Sequence, residues 1–272
     1  MQRDVDVLLA DRETLFPGEL SLNPCLRQWL GQVALDQDIQ LEFSRKVSAG
    51  HVSQYRPSLG FVERVPHHLG RCLARLQHYG AGFDDAPVQR FFKAIGTTWA
   101  DLLIHGIELG GVSAEETRIK LHVRFANRPE IERALLDHPD RHPDLHRFAS
   151  RLTCHTAGFD LFHGGVTRMR NYVSFPRPRL ALGLLERELG SEIAQVLAQA
   201  EGVWITWKDQ TGDPFVYAVD ADATRYVRLF DVQGVNPEHL FHRRQPAYIF
   251  GAPLSQWRAR VLSDYNAYFM LR

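Results

Sequence analysis

The sequence predicts an α+β fold in which an antiparallel β-barrel is surrounded by α-helices, and three observations carry that expectation. Strand-like segments come in pairs split by short turns, the pairs alternate with amphipathic helical segments, and no Pro/Ser-rich linker interrupts the 272 residues. A chain that repeats helix, strand, strand, helix accommodates its strands by closing the sheet, because closure leaves no exposed edge. One domain over residues 1–272 follows.

The first strand pair runs from Ile39 to Val47 and from Val52 to Val62 across Ser48-Ala49-Gly50, and the second from Trp99 to Leu109 and from Thr117 to Phe125 across Gly110-Gly111-Val112-Ser113. A third runs from Cys154 to His163 and from Thr167 to Phe175 across Gly164-Gly165, and a fourth from Gly202 to Lys208 and from Pro214 to Val219 across Asp209 to Asp213. Between them, His67 to Tyr79, Pro87 to Ile95, Pro129 to Leu136, Leu180 to Leu189 and Ser191 to Ala200 space their apolar residues by three and four, as helices do. Pro253 at a helix start predicts a terminal helix toward Arg272, and Thr224 to Gly251 fits neither period.

Composition narrows the function classes. Hydrophobic residues at 44% and charged residues at 24% are ordinary for a globular protein, and 32 basic residues balance 32 acidic ones. Neither a nucleic-acid partner nor a membrane surface is expected, and a monomer is. Cys25, Cys72 and Cys154 are far apart and lack metal-ligand spacing, which suits reduced thiols. Met1 to Asp6 alternate charges where a signal peptide would run apolar, so a cytoplasmic protein is expected.

The chemistry lies in the faces that point inward. Lys120, His122 and Arg124 alternate with Ile119, Leu121, Val123 and Phe125, giving one cationic and one apolar face. If the apolar face meets the surrounding helices, the cations face the lumen, where unbalanced positive charge calls for a bound anion. Arg168, Arg170 and Tyr172 alternate in the same way, as do Trp204, Thr206 and Lys208, and Arg56 adds a further cation. Lys46, beside a turn, is expected in solvent. Glu42 shares its face with Gln40, Ser44 and Lys46 and is the one carboxylate there; it either neutralises a neighbouring arginine or serves as a general base. Of the aromatics Tyr55, Trp99, Tyr172, Trp204, Tyr217, Tyr248 and Tyr265, Trp99 and Tyr248 are read as core packing. Tyrosines among arginines can instead stabilise a cation by their ring faces and hold water away from it.

No glycine-rich phosphate loop, dinucleotide fingerprint, HExxH or Gly-x-Ser-x-Gly occurs, and Asp84-Asp85 continues as Ala86-Pro87-Val88 rather than as an aspartate-rich magnesium motif. The histidines scatter, and His67, His68, His138, His142 and His146 read as surface.

Read together, Leu41-Glu42 through Val47, Arg56, Ile119-Lys120-Leu121-His122-Val123-Arg124, and Phe159-Asp160-Leu161 before Gly164-Gly165 resemble, in order, motifs of the cyanobactin peptide prenyltransferases. Those enzymes share the ABBA barrel of the aromatic prenyltransferases. The resemblance covers roughly Gln40 to the C-terminus and implies transfer of an allylic group from dimethylallyl or geranyl diphosphate to a cyclic or linear peptide, assisted by magnesium. It implies Glu42 as catalytic base, Arg56, Lys120, His122, Arg124, Arg170 and Lys208 around the diphosphate, and Tyr172, Trp204, Tyr217 and Tyr265 around the prenyl chain. A large aromatic at Trp204 implies the five-carbon dimethylallyl donor. Arg168 and Arg170 depart from the residue types of that family's strand. The rival barrel, a triphosphate tunnel hydrolase, needs alternating glutamates on its first strand, where this chain has Gln40, Glu42, Ser44 and Lys46. A noncatalytic ligand-binding barrel is the third reading.

Overall fold

The computed structural model describes residues 39–48, 50–52, 56–61, 84, 86–94, 104–110, 118–124, 133, 135–137, 142–148, 154–162, 165, 167–207, 212–235 and 246–270. Tyr55, Trp99, Lys208 and the expected helix 67–79 lie outside the described residues. Strands are β1 (Ile39–Ser48), β2 (His51–Val52), β3 (Arg56–Phe61), β4 (Ile104–Gly110), β5 (Arg118–Arg124), β6 (Cys154–Phe162) and β7 (Thr167–Phe175). They continue as β8 (Gly202–Trp207), β9 (Phe215–Val219), β10 (Asp231–Val232), β11 (Ile249–Pro253), β12 (Val261–Leu262) and β13 (Tyr265–Met270). The described helices are α1 (Ala86–Ala94), α2 (Leu145–Phe148), α3 (Leu182–Leu189), α4 (Ser191–Leu197) and α5 (Leu254–Ala259), with 3-10 turns at Pro178–Ala181 and Ala223–Leu229.

Eleven of the described strands join in the order β13-β11-β9-β8-β7-β6-β5-β4-β3-β1-β2, each long pair antiparallel. β13 also pairs with β1, from Glu42 opposite Met270 to Val47 opposite Tyr265, so the ladder returns to its start. Short connections join β1 to β3, β4 to β5, β6 to β7 and β8 to β9 at one rim, and the connections that carry α1, α2, α3 and α4 leave from the other.

Period two then assigns the two sides. Val173 and Phe175 of β7, Val203, Ile205 and Trp207 of β8, Val216 and Ala218 of β9, and Phe250 and Ala252 of β11 pack with Leu185, Leu189, Ile193, Leu197, Tyr226 and Trp257 in one buried core. Fully burying each of the larger of these side chains stabilises by about 1.5–3 kcal/mol. On β6 the same side meets α1, where the Phe91 and Phe92 rings lie 5.2 and 6.5 Å from Phe159. The side chains between them, from Glu42 and Ser44 round to Asn266 and Tyr268, form the inner face. Gly190, at φ +90°, separates α3 from α4 at the break the sequence predicts, because a side chain is strained there.

Three expectations need correcting. Residues 254–270 are not one terminal helix: α5 ends at Arg260 in the left-handed region, and β13 follows. The Gln256 side chain enforces this turn, its Oε1 accepting from the Ser263 and Asp264 N–H groups at 2.9 and 3.1 Å. His142 is buried rather than on the surface; its ring stacks on Trp207 at 5.0 Å and its N–H donates to Asn171 Oδ1 at 2.6 Å. Lys46 is half-buried rather than solvated. No described helix is long and apolar enough to cross a membrane.

The helix-side core makes stability fall in alkali. Burial raises the Tyr226 phenol from its ordinary 10.0 to about 12, against the lowering effect of its hydrogen bond from Arg225, and burial also raises Tyr265, only partly offset by Arg45. Both groups are neutral when folded, so their contribution is intact below pH 10 and is lost as the unfolded chain ionises above it. Urea unfolding is expected to show a lower midpoint at pH 11.5 than at pH 9, and Tyr226→Phe is expected to narrow that difference.

Candidate active site

On β7 the inner face carries Arg168, Arg170, Tyr172 and Ser174, on β8 Trp204 and Thr206, on β9 Phe215 and Tyr217, and on β13 Asn266 and Tyr268. Asp160 comes from β6. Its carboxylate, 0% exposed, forms an ion pair with the Arg170 guanidinium, itself 16% exposed. Burial alone would lower the Arg170 pKa, but Tyr172, Asp160 and Tyr217 around it outweigh that effect and raise it, so the guanidinium stays charged. Asp160 is thus a further carboxylate on the face that carries Glu42, and much of the Arg170 charge is balanced within the chain. Arg168 is exposed at the rim, with its guanidinium 5.5 Å from the centre of the Phe162 ring.

Two aromatic groups flank this pair. Tyr172 is buried with its ring edge-to-face with His122 at 5.1 Å. Tyr217 is buried in a cluster with Phe215 and Ile249, against which Trp204 and Tyr268 pack, and its hydroxyl accepts from Asn266 Nδ2 at 3.0 Å. Register sets Trp204 opposite Tyr217, Tyr217 opposite Gly251, and Gly251 opposite Asn266. Tyr172, Trp204, Tyr217, His122 and Arg170 are thus brought onto one face.

Tyr265 is not among them. It pairs with Val47, packs with Phe250 in the helix-side core, and donates its hydroxyl to the Val235 carbonyl at 3.3 Å. The inward places on β13 belong to Asn266 and Tyr268, and Tyr265, one residue along from Asn266, faces the other side.

Glu42 is half-buried, with Ser58 and Met270 as its register partners. Register places Arg56 opposite Ser44, Lys120 between Glu108 and Asp160, and Arg124 opposite Thr156.

Several buried polar atoms of this face have no hydrogen-bond partner among the described residues: Ser44 Oγ, Thr206 Oγ1, Asn266 Oδ1 and Arg170 Nε. Buried groups of this kind are costly, each about 1–3 kcal/mol, and they suit a face that meets a polar ligand. The described residues contain no group of three or more His, Cys, Asp or Glu able to hold a metal ion. Chemically, the face offers a fixed guanidinium, a half-buried carboxylate and an aromatic wall, which together suit an anion with an apolar tail.

Comparison with protein-family models and with curated proteins finds no match. Among solved structures, the chain is similar to that titled "Crystal structure of AnaPT from Neosartorya fischeri", at 13% sequence identity and a TM-score of 0.49, over 86% of this chain and 78% of that one.

Proposed function

We propose that this chain is a single-domain peptide prenyltransferase of the ABBA type, acting in the cytoplasm on a ribosomally made, macrocyclic peptide with dimethylallyl diphosphate as donor. The observation that carries the reading is the inner-face setting of Arg170, a half-buried guanidinium whose Nε has no partner among the described residues and which has Tyr172 and Tyr217 beside it. A diphosphate held there by Arg170 and by the cations of β3 and β5 is stabilised most as the allylic C–O bond breaks and its electrons leave with the oxygen. The acceptor lone pair or ring then forms the new bond to the allylic carbon, and Glu42 takes the proton released. Tyrosine and tryptophan faces hold the electron-poor carbon and exclude water.

Magnesium enters this proposal only as a counter-ion of the donor. Asp160 is already paired with Arg170, and the described side chains offer no carboxylate cage, so no step is routed through the metal.

Incubation with dimethylallyl diphosphate and a library of cyclic peptides, resolved by mass, tests the reading. A product heavier by one isoprenyl unit is expected; diphosphate hydrolysis without peptide product would favour the tunnel-hydrolase chemistry instead. The same assay tests donor size. Trp204 packs among Phe215, Tyr217 and Ile249, so Trp204→Gly opens apolar space for a second isoprene unit. The geranyl-to-dimethylallyl product ratio is expected to rise about tenfold or more in that variant. A wild type already preferring geranyl diphosphate would refute the size assignment.

A further inference from the structure

We propose that Gly158 and Gly251 determine the length of prenyl chain the site accepts, by letting Tyr172 and Tyr217 lie flat against the barrel wall. The proposal rests on the prenyl-donor reading above and identifies what gives its chamber depth.

Neither glycine has a positive φ, so neither is required by its backbone conformation. The reason is space. A Cβ on Gly251 would come within 2.1 Å of Tyr217 Cδ1, 2.4 Å of Cε1 and 2.8 Å of Cγ. A Cβ on Gly158 would come within 2.5 Å of Tyr172 Cε2. Each ring therefore occupies the place of a missing side chain on the neighbouring strand, β11 beneath Tyr217 and β6 beneath Tyr172. Both rings are near enough to act on the Arg170 guanidinium, so the depth they leave is depth beside it.

The rings cannot move sideways to make room. Tyr217 is held at its hydroxyl by Asn266 and bordered by the Phe215 and Tyr268 rings at 5.1 and 6.1 Å. Tyr172 has the His122 ring against it at 5.1 Å. A methyl group added at either glycine must lift the ring away from the wall into the chamber, where the apolar tail would otherwise lie. Asn266, 6% exposed and bonded to Tyr217, and Thr206, 1% exposed and opposite Tyr172 in register, lie along the same wall beside the two rings.

Calorimetry of the full chain with inorganic diphosphate, dimethylallyl diphosphate and geranyl diphosphate tests this in wild type, Gly251→Ala and the Gly251→Ala, Tyr217→Leu double variant. Inorganic diphosphate is expected to bind all three within about twofold, since no cation has moved. Gly251→Ala is expected to weaken dimethylallyl diphosphate about tenfold and geranyl diphosphate further, and removal of the displaced ring is expected to recover part of that loss, more for geranyl than for dimethylallyl diphosphate. Equal loss for all three ligands, or no loss, overturns the proposal, as does failure of the double variant to recover. Gly158→Ala with and without Tyr172→Leu gives the same reading should Gly251→Ala fail to fold. A wild type that binds prenyl diphosphates no better than inorganic diphosphate also overturns it. A wild type that binds them but modifies no peptide overturns the proposed transfer and leaves the chamber assignment standing.

Discussion

Glu42→Gln is expected to lower peptide prenylation by about a hundredfold or more while changing the affinity for the donor little. The amide keeps the size and the half-buried position of the carboxylate between the register positions of Ser58 and Met270, and removes only its capacity to take a proton. Asp160, on the same face, is fully buried against Arg170 and so is poorly placed to replace it, while Glu108 shares that face by register, opposite Ser58 and Lys120. Single-turnover transfer and donor titration separate the effects: a base acts on the chemical step, whereas a residue that only neutralises a neighbouring cation would alter donor affinity first. Unchanged turnover would remove Glu42 from the mechanism. Retained turnover with a shift in donor affinity would make it a counter-ion.

The alternation of small, polar and apolar residues made much of this fold legible. β6, β7, β8 and β9 fall within a residue or two of the boundaries that hydrophobic period and turn glycines predict, and α3 and α4 meet at Gly190 as expected. The C-terminal unit was not legible because its first turn imitates a helix start. Pro253, Leu254 and Trp257 carry helical spacing, and the signal that ends it is a side chain, Gln256, bonding to backbone groups seven and eight residues on. The pattern of Tyr265 to Met270 is a strand pattern when read alone, yet its register decides which tyrosine faces inward, and register is set by pairing with β1 and β11. The same holds for the site. Phe159-Asp160-Leu161 was visible as a motif, but the partner of Asp160 is Arg170, ten positions later and diagonal across the β6–β7 ladder, where Arg168 is the direct register partner. Gly158 and Gly251 could have been found only as glycines inside strand patterns, a known sign of close approach, without any indication of which ring approaches.

Asp160→Ala is expected to be the most destabilising single change on the inner face, by about 3 kcal/mol, because it leaves a buried guanidinium without its counter-charge. Arginine cannot escape by losing its proton, and its surroundings raise rather than lower its pKa. The 16% exposure of Arg170 lets some water reach it, which places the cost at the lower end of the range for breaking a buried pair. Replacing both partners, as in Asp160→Leu with Arg170→Met, is expected to recover most of that loss, since an apolar pair of similar volume carries no unbalanced charge. The single variant also probes the site. With its internal partner gone, Arg170 has more charge to offer an external anion, so inorganic diphosphate should raise the melting temperature of Asp160→Ala by more than it raises that of the wild type. Thermal unfolding of both proteins with and without diphosphate measures this in one experiment. A loss of stability within the range of a surface substitution, about 0.5 kcal/mol, would mean that the ion pair is open to water in solution. A full loss that diphosphate does not relieve would keep the pair as a structural element of the wall and move the anion away from Arg170, toward the cations of β3 and β5.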